Sequence, residues 1–360
     1  MAFLPYRAVM QTKYQFMIGI LVLTALFYLE SQIQRLEVSL TKIERAIAQT
    51  QIENLNSAWK DHTSRHLVTD NDDESKKDDI VVIYNRVPKT ASTSFVGVAY
   101  DLCSVNGFNV LHLNTTRNSH VMSLPDQTRF VQNVTNWNAK KPAFYHGHLA
   151  FLDFSRFGVT TKPLYINIIR KPLDRLVSYY YFVRYGDDFR PHLKRRRSGD
   201  SQNFDDCVAK DEQECLPEKL WLQVPFFCGH SQECWRPGSK WALEQAKHNL
   251  VEHFFLVGVT EQLEEFVAVL EASLPSMFHG SIERFQTGGK SHLRKTSNKL
   301  QPSEATIAKF QRSEIWQMEN EFYEFTLEQF EHVKRRTMKV VDGKTVIVPQ
   351  QFMYEKIRPR

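Results

Sequence analysis

The stretch that most constrains this chain is Val81-Val82-Ile83-Tyr84-Asn85-Arg86-Val87-Pro88-Lys89-Thr90-Ala91-Ser92-Thr93-Ser94, continued by Phe95 to Leu102. Its first part is apolar and β-branched, the composition of a buried strand. Its middle packs a proline, a lysine, a small residue and four hydroxyl side chains into seven positions. Its last part places Phe95, Val98, Ala99 and Leu102 on one face of a helix. Strand, hydroxyl-rich turn and helix together aim main-chain N–H groups and a helix N-terminus at an anion. The ordinary nucleotide loop, G-x-x-x-x-G-K-[ST], needs glycines before its lysine. Here Lys89 comes early and the next glycine is Gly97. A plain capped helix start is the competing reading, because Ser and Thr are good N-caps.

The rest of the chain supplies partners for that unit. Asn109 to Leu113 reads as a short strand, and Leu164-Tyr165-Ile166-Asn167-Ile168-Ile169 as a buried parallel one. Arg170 stands at the C-terminal end of the latter, and Pro172 suits the first turn of a helix. That helix has Leu173, Leu176, Val177, Tyr180 and Tyr181 on its buried side, with Ser178 two turns in. Ligands of open α/β sheets bind beyond the carboxyl ends of the strands. The Lys89 loop and Arg170 can therefore converge on one ligand, the arginine fork and the Ser178 hydroxyl suiting a second phosphate. A surface ion pair of Arg170 with Asp174 is the alternative. In Ala143-Phe144-Tyr145-His146-Gly147-His148-Leu149, an extended backbone puts His146 and His148 on one face. Gly147 admits close approach to the backbone. Imidazole suits general-base work near neutral pH. Two structural histidines, or a zinc pair without neighbouring ligands, are the other readings. Residues 126–137 read as a helix with Phe130 and Val131 inward. Residues 241–251 and 262–274 read as amphipathic helices around a strand, Phe254 to Val259. Residues 305–330 read as one aromatic-rich helical run, and residues 340–346 as a D-G hairpin.

The N-terminal part is different in kind. Phe16 to Leu29 carries no charge, and Tyr14 and Lys13 extend its usable length toward a membrane span. Arg7 and Lys13 precede it without an acidic residue, which places the N-terminus in the cytosol. No small-x-small cleavage site follows, so an uncleaved anchor is expected rather than a signal peptide. Ile33, Leu36, Leu40, Ile43 and Ile47 form an a/d seam of about two heptads, with isoleucines favouring more than two strands. The expected order is a cytosolic tail at residues 1–12, an anchor at 13–29, a coiled-coil stem at 30–60, a charged linker at 61–79 and a lumenal domain at 80–360.

A lumenal domain changes how other features read. Cys207 with Cys215 and Cys228 with Cys234 form close couples, expected to pair in an oxidising compartment, with Cys103 left over on the first helix. Spacing alone does not fix that connectivity. Asn114 and Asn133 head N-glycosylation acceptor patterns. The net charge of +5 is clustered, above all in Arg184 to Arg197. On the lumenal side such a segment favours a sulfated or carboxylated polysaccharide over nucleic acid. An ordinary solvated charge run is the bland alternative. Gly288-Gly289-Lys290-Ser291-His292-Leu293-Arg294-Lys295-Thr296 reads either as a mobile lid over a polyanion or as a plain basic loop.

Taken in this order, the motifs resemble the sulfotransferases that use 3′-phosphoadenosine 5′-phosphosulfate, and among them the heparan sulfate 2-O-sulfotransferases. PKTASTS resembles the 5′-phosphosulfate loop, and Arg170 and Ser178 in IIRKPLDRLVSYYYF resemble the 3′-phosphate motif. The anchor, YHGH, the paired cysteines and GGKSHLRKT complete the likeness. Lys171 departs from it, because the motif usually has an acidic residue there. The resemblance implies an α/β sulfotransferase fold, a P-loop-like parallel sheet flanked by helices. It implies a Golgi type II enzyme, homotrimeric, needing no metal and sulfating the 2-hydroxyl of iduronic and less often glucuronic acid. Lys89, Thr90, Ala91, Ser92, Thr93, Arg170, Ser178, Ser291, Arg294, Thr296 and Lys299 would hold the donor. His148 would be the base, with His146 assisting. Arg86, Tyr100, His112, Arg190, Arg195 and Arg294 would meet the glycan. A relative that acts on dermatan or chondroitin sulfate, or a non-catalytic heparan-binding protein, would share part of the pattern.

Overall fold

The computed structural model describes residues 79–115, 119–160, 162–187, 190, 192–288, 298–341 and 344–347, with Tyr28 and Gln32 in addition. Contacts divide the chain into two units, Met1–Asp72 and Asp73–Arg360. The fold lies in the second. The expected tail, the stem except Gln32, the anchor except Tyr28 and the linker except Asp79 lie outside the described residues, as do Ser291, Arg294 and Thr296. Among the described residues no helix is long and apolar enough to cross a membrane.

Five parallel strands form the sheet: β1 (Val81–Asn85), β2 (Asn109–Leu113), β3 (Ala143–Gly147), β4 (Leu164–Ile169) and β5 (Phe254–Val259), in the order β2-β3-β1-β4-β5. The opening strand is thus central, with β3 on one side and β4 on the other. Its helix α1 (Ser92–Leu102) follows at once, and α2 (Leu124–Asn136) connects β2 to β3. After β4 come α3 (Pro172–Tyr185), α4 (Phe204–Ala209), α5 (Gln223–Cys228) and α6 (Lys240–His253), which leads into β5. The chain continues through α7 (Leu263–Ser273), α8 (Pro275–Phe278), α9 (Ser281–Thr287), α10 (Glu304–Gln311) and α11 (Glu314–Thr337) to a hairpin of β6 (Met338–Val341) and β7 (Lys344–Ile347).

Alternation along β1 covers both faces of the sheet. Val82 and Tyr84 join Phe144, Ile166 and Ile168 beneath α1 and α7. Val81 and Ile83 join Ala143, Tyr145 and Tyr165 against α2 and Phe151 to Phe154. Phe95 of α1 meets Tyr84 and Phe266 edge-on, each at 5.3 Å between ring centroids. The Cys207–Cys215 and Cys228–Cys234 disulfides are both present, and Cys103 is unbridged at the end of α1. The run at 305–330 is two helices rather than one. Ser313 interrupts it, its hydroxyl accepting the Trp316 N–H as the cap of α11. That helix then runs on to Thr337.

Gly258 of β5 faces α7 so closely that a Cβ there would lie 2.9 Å from Phe266 Cβ. Gly258→Ala is expected to destabilise the domain by about 1–3 kcal/mol through overpacking. A urea denaturation midpoint lowered by that free energy divided by the m-value checks it, with the far-ultraviolet spectrum unchanged.

Candidate active site

Every element of the site hangs from the C-terminal edge of the sheet. The β1–α1 loop turns without glycine, yet Lys89 and Ala91 both take left-handed backbone, with φ of 70° and 57°. Ala91 is the cap position of α1, and no side chain caps the helix there. The hydroxyls therefore do not perform ordinary capping. Thr90 instead turns inward, its Oγ1 donating to the Val87 carbonyl at 3.0 Å. The helix N-terminus is left to whatever anion the loop receives.

His148 follows β3 directly and is bound to the same loop. The Arg86 guanidinium donates to His148 Nε2 at 3.3 Å, so Nε2 is an acceptor. The proton then belongs on Nδ1, which donates to the Arg86 carbonyl at 2.7 Å. That tautomer leaves Nε2 unprotonated, and its lone pair can serve as a general base once a substrate hydroxyl takes the place of the Arg86 N–H. His146 lies inside β3, opposite Tyr84 and His112 in register. It is buried, bonds the Tyr100 hydroxyl at 3.0 Å through Nε2, and stacks on His112 at 4.9 Å. Burial, then the Arg86 charge and the neighbouring imidazoles, hold its pKa down to about 3. His146 is therefore neutral at working pH, as is His112, lowered by burial and by Arg86. The structure thus brings Arg86, Tyr100, His112, His146 and His148 into one cluster.

Arg170 completes the convergence. Its guanidinium donates to the Lys89 carbonyl at 3.4 Å, and among the described residues no ion pair joins it to Asp174. Its Nε is buried with no hydrogen-bond partner. Ser178 is buried on α3, the helix that follows Arg170. Lys299 sits close enough for burial, and then the Arg170 charge, to lower its pKa. Two crowded cations and an orphaned guanidinium nitrogen suit an anion of high charge.

Phe182 of α3 is a contact that sequence reasoning missed. The Lys89 ammonium lies 4.1 Å and the Arg195 guanidinium 4.4 Å from its ring centroid. Arg195 also pairs with the buried carboxylate of Asp187 at 3.2 Å, and the Arg190 N–H donates to the same oxygen. The reading of residues 184–197 as a basic segment open to a polyanion or to solvent is corrected at its first member. Arg184 is buried, paired with Glu214 and Asp200 and stacked on Tyr180, where it holds α3 in place. Asn85 and Asn167 were also overlooked, although each is a polar break in an apolar strand. Asn167 Nδ2 donates to the Asn85 carbonyl and side chain at 2.8 and 2.9 Å, knitting the ends of β1 and β4. Asn114 and Asn133 are both exposed. Among the described residues, Cys207, Glu212 and Glu214 form a cluster with metal-ligand spacing, but the Cys207 sulfur is bridged to Cys215.

A parallel α/β sheet with a lysine-bearing, hydroxyl-rich loop at its central strand, an imidazole after the next strand and an arginine after the third is a layout suited to a group-transfer enzyme for phosphorylated donors. Residues 75–326 match the model of the sulfotransferase family, and the chain belongs to that family. It is 56% identical over 98% of its length to heparan sulfate 2-O-sulfotransferase 1 of Gallus gallus, and 54% identical over the same share to that of Homo sapiens. Each alignment covers 98% of the relative. Heparin sulfate O-sulfotransferase of Drosophila melanogaster is 58% identical over 82% of this chain and 84% of its own. The chain is accordingly a sulfotransferase, and the family implies 3′-phosphoadenosine 5′-phosphosulfate as its sulfate donor.

Burial lowers the pKa of His112, His120, His146, His230 and His253. The unfolded chain takes up protons at these sites near pH 6.5, whereas the folded chain takes them up only at lower pH. Their contribution is complete above the unfolded value and lost as pH falls toward the folded ones. Stability should therefore fall between pH 7 and pH 5.5. His146→Gln should flatten that slope by up to about 1.4 kcal/mol per pH unit, read from urea midpoints across the range.

Proposed function

We propose that this enzyme transfers the sulfuryl group of 3′-phosphoadenosine 5′-phosphosulfate to the 2-hydroxyl of iduronic acid, and less often glucuronic acid, in heparan sulfate. The observation that carries the mechanism is the meeting of three strand ends on one loop: His148 is bound to the Arg86 carbonyl and Arg170 to the Lys89 carbonyl, both in the loop that follows β1. A sugar hydroxyl does not ionise near pH 7 and needs a positioned base. His148 Nε2 takes its proton as the hydroxyl oxygen attacks sulfur. The bond from sulfur to the bridging phosphate oxygen breaks in line, and the electron pair stays on that oxygen. Lys89 stabilises the charge that gathers there, more in the transition state than in the ground state. His146, neutral and buried, supports the base. The N–H groups of Thr90, Ala91, Ser92 and Thr93 hold the 5′-phosphosulfate, and Arg170 and Ser178 the 3′-phosphate. Ser291, Arg294, Thr296 and Lys299 add donor contacts. Arg86, Tyr100, His112, Arg190, Arg195 and Arg294 meet the acceptor.

The names of the relatives support heparan sulfate as the acceptor. The apolar N-terminal run and its basic flank support a single-pass Golgi protein with a lumenal catalytic domain. The stem heptads support a homotrimer. Transfer assays on heparosan-derived and dermatan oligosaccharides, with product disaccharides identified, test the acceptor; exclusive sulfation of dermatan would overturn it.

His148→Ala is expected to lower kcat by about 10²–10⁴-fold while leaving the Kd for 3′-phosphoadenosine 5′-phosphate unchanged. Full turnover would refute the base assignment. Lys89→Ala should lower kcat by about 10²–10³-fold and weaken donor binding, with both constants read from initial rates.

A further inference from the structure

Arg170 stands where β4 stops, and its main chain has no neighbouring strand to bond. Side chains take over that task. Gln223 of α5, fully buried, accepts the Arg170 N–H through Oε1 at 2.9 Å. It returns a hydrogen bond from Nε2 to the Arg170 carbonyl at 2.9 Å. The amide thus imitates one residue of a missing strand. Thr260 donates to the carbonyl just before, on Ile169, and Glu261 accepts from the N–H just after, on Lys171.

Gln223 is itself held. Its Nε2 also donates to Glu319 Oε2 at 3.3 Å. The other oxygen of Glu319 receives the N–H groups of Leu222 and Val224, at 2.8 and 3.1 Å, at the start of α5. Glu319 is fully buried on α11, where burial raises its pKa and the charge of the buried Arg175 of α3 opposes that rise. Buried polar groups cost stability when left unpaired, and buried charges more so. A pure packing role would be met more cheaply by apolar residues of the same shape. This arrangement fixes one main-chain position instead, that of the arginine whose guanidinium reaches the anion loop.

We propose that Gln223, oriented by Glu319, is a positioning residue for recognition of the donor's 3′-phosphate, acting through the backbone of Arg170. The proposal rests on the assignment of Arg170 to that phosphate. Gln223→Met keeps the length and removes both hydrogen bonds to Arg170. Glu319→Gln keeps the shape and one acceptor while removing the charge that orders the amide, and serves where Gln223→Met does not fold.

The experiment is calorimetric titration of the full chain with 3′-phosphoadenosine 5′-phosphate and with adenosine 5′-phosphate, which lacks the 3′-phosphate. Gln223→Met is expected to weaken the first ligand by about tenfold and leave the second unchanged. Glu319→Gln should shift the same ratio in the same direction by less. The double variant Arg170→Ala/Gln223→Met should bind no more weakly than Arg170→Ala alone, because the two act on one contact. Equal loss of both ligands in Gln223→Met, no loss of either, or additive losses in the double variant would overturn the proposal. If Arg170→Ala itself keeps the preference for the 3′-phosphate, the assignment of Arg170 fails, which is a separate result.

Discussion

The main chain of Arg86 carries the site. Its N–H donates to the Gly147 carbonyl at 2.8 Å, and its carbonyl receives the His148 imidazole. Parallel pairing of β1 with β3 is thereby prolonged past both strands, first by backbone and then by a side chain. One residue thus fixes where the anion loop begins, which way the imidazole faces and which nitrogen bears the proton. Gly147 belongs to the same constraint. A Cβ on it would lie 2.7 Å from Leu113 Cβ, so only glycine lets β2 close on β3 beside the base.

The site gathers positive charge at one aromatic ring and at one strand end. Lys89 and Arg195 rest against one phenyl ring, and Arg170 and Lys299 crowd each other. Crowded cations raise the energy of the unliganded protein and are relieved by a polyanionic partner. Acidic groups do appear, but they serve as anchors. Asp187 fixes Arg195 and the Arg190 backbone, while Glu319 sits deep behind the strand end. Neutral histidines next to the base complete the picture, since protonated neighbours would oppose its taking a proton.

The sequence made the sheet legible because its strands are apolar runs closed by punctuating residues. The bounds of β2, β4 and β5 match the runs read from them, and β1 ends where Arg86 begins. Lys89, His148 and Arg170 were legible because each is a reactive type just beyond a strand. The supporting shell was harder to see. Gln223 and Glu319 lie far along the chain from Arg170, beyond intervening helices, and nothing local marks a glutamine as a substitute for a strand. Phe182 looked like one more aromatic on an amphipathic helix, and Arg184 like one more surface charge. The left-handed turns at Lys89 and Ala91 were hidden because that conformation usually announces itself through glycine. The division between α10 and α11 turned on a single serine.

The strand order has a consequence for how the protein is made. Synthesis delivers β1 before any of its neighbours, yet β1 ends up in the middle of the sheet. Both of its edges stay without lasting partners until the ribosome has released β3 and β4, well downstream. Such a segment is prone to sticking to other chains while it waits. The waiting edges therefore belong to the very strand that leads into the Lys89 loop.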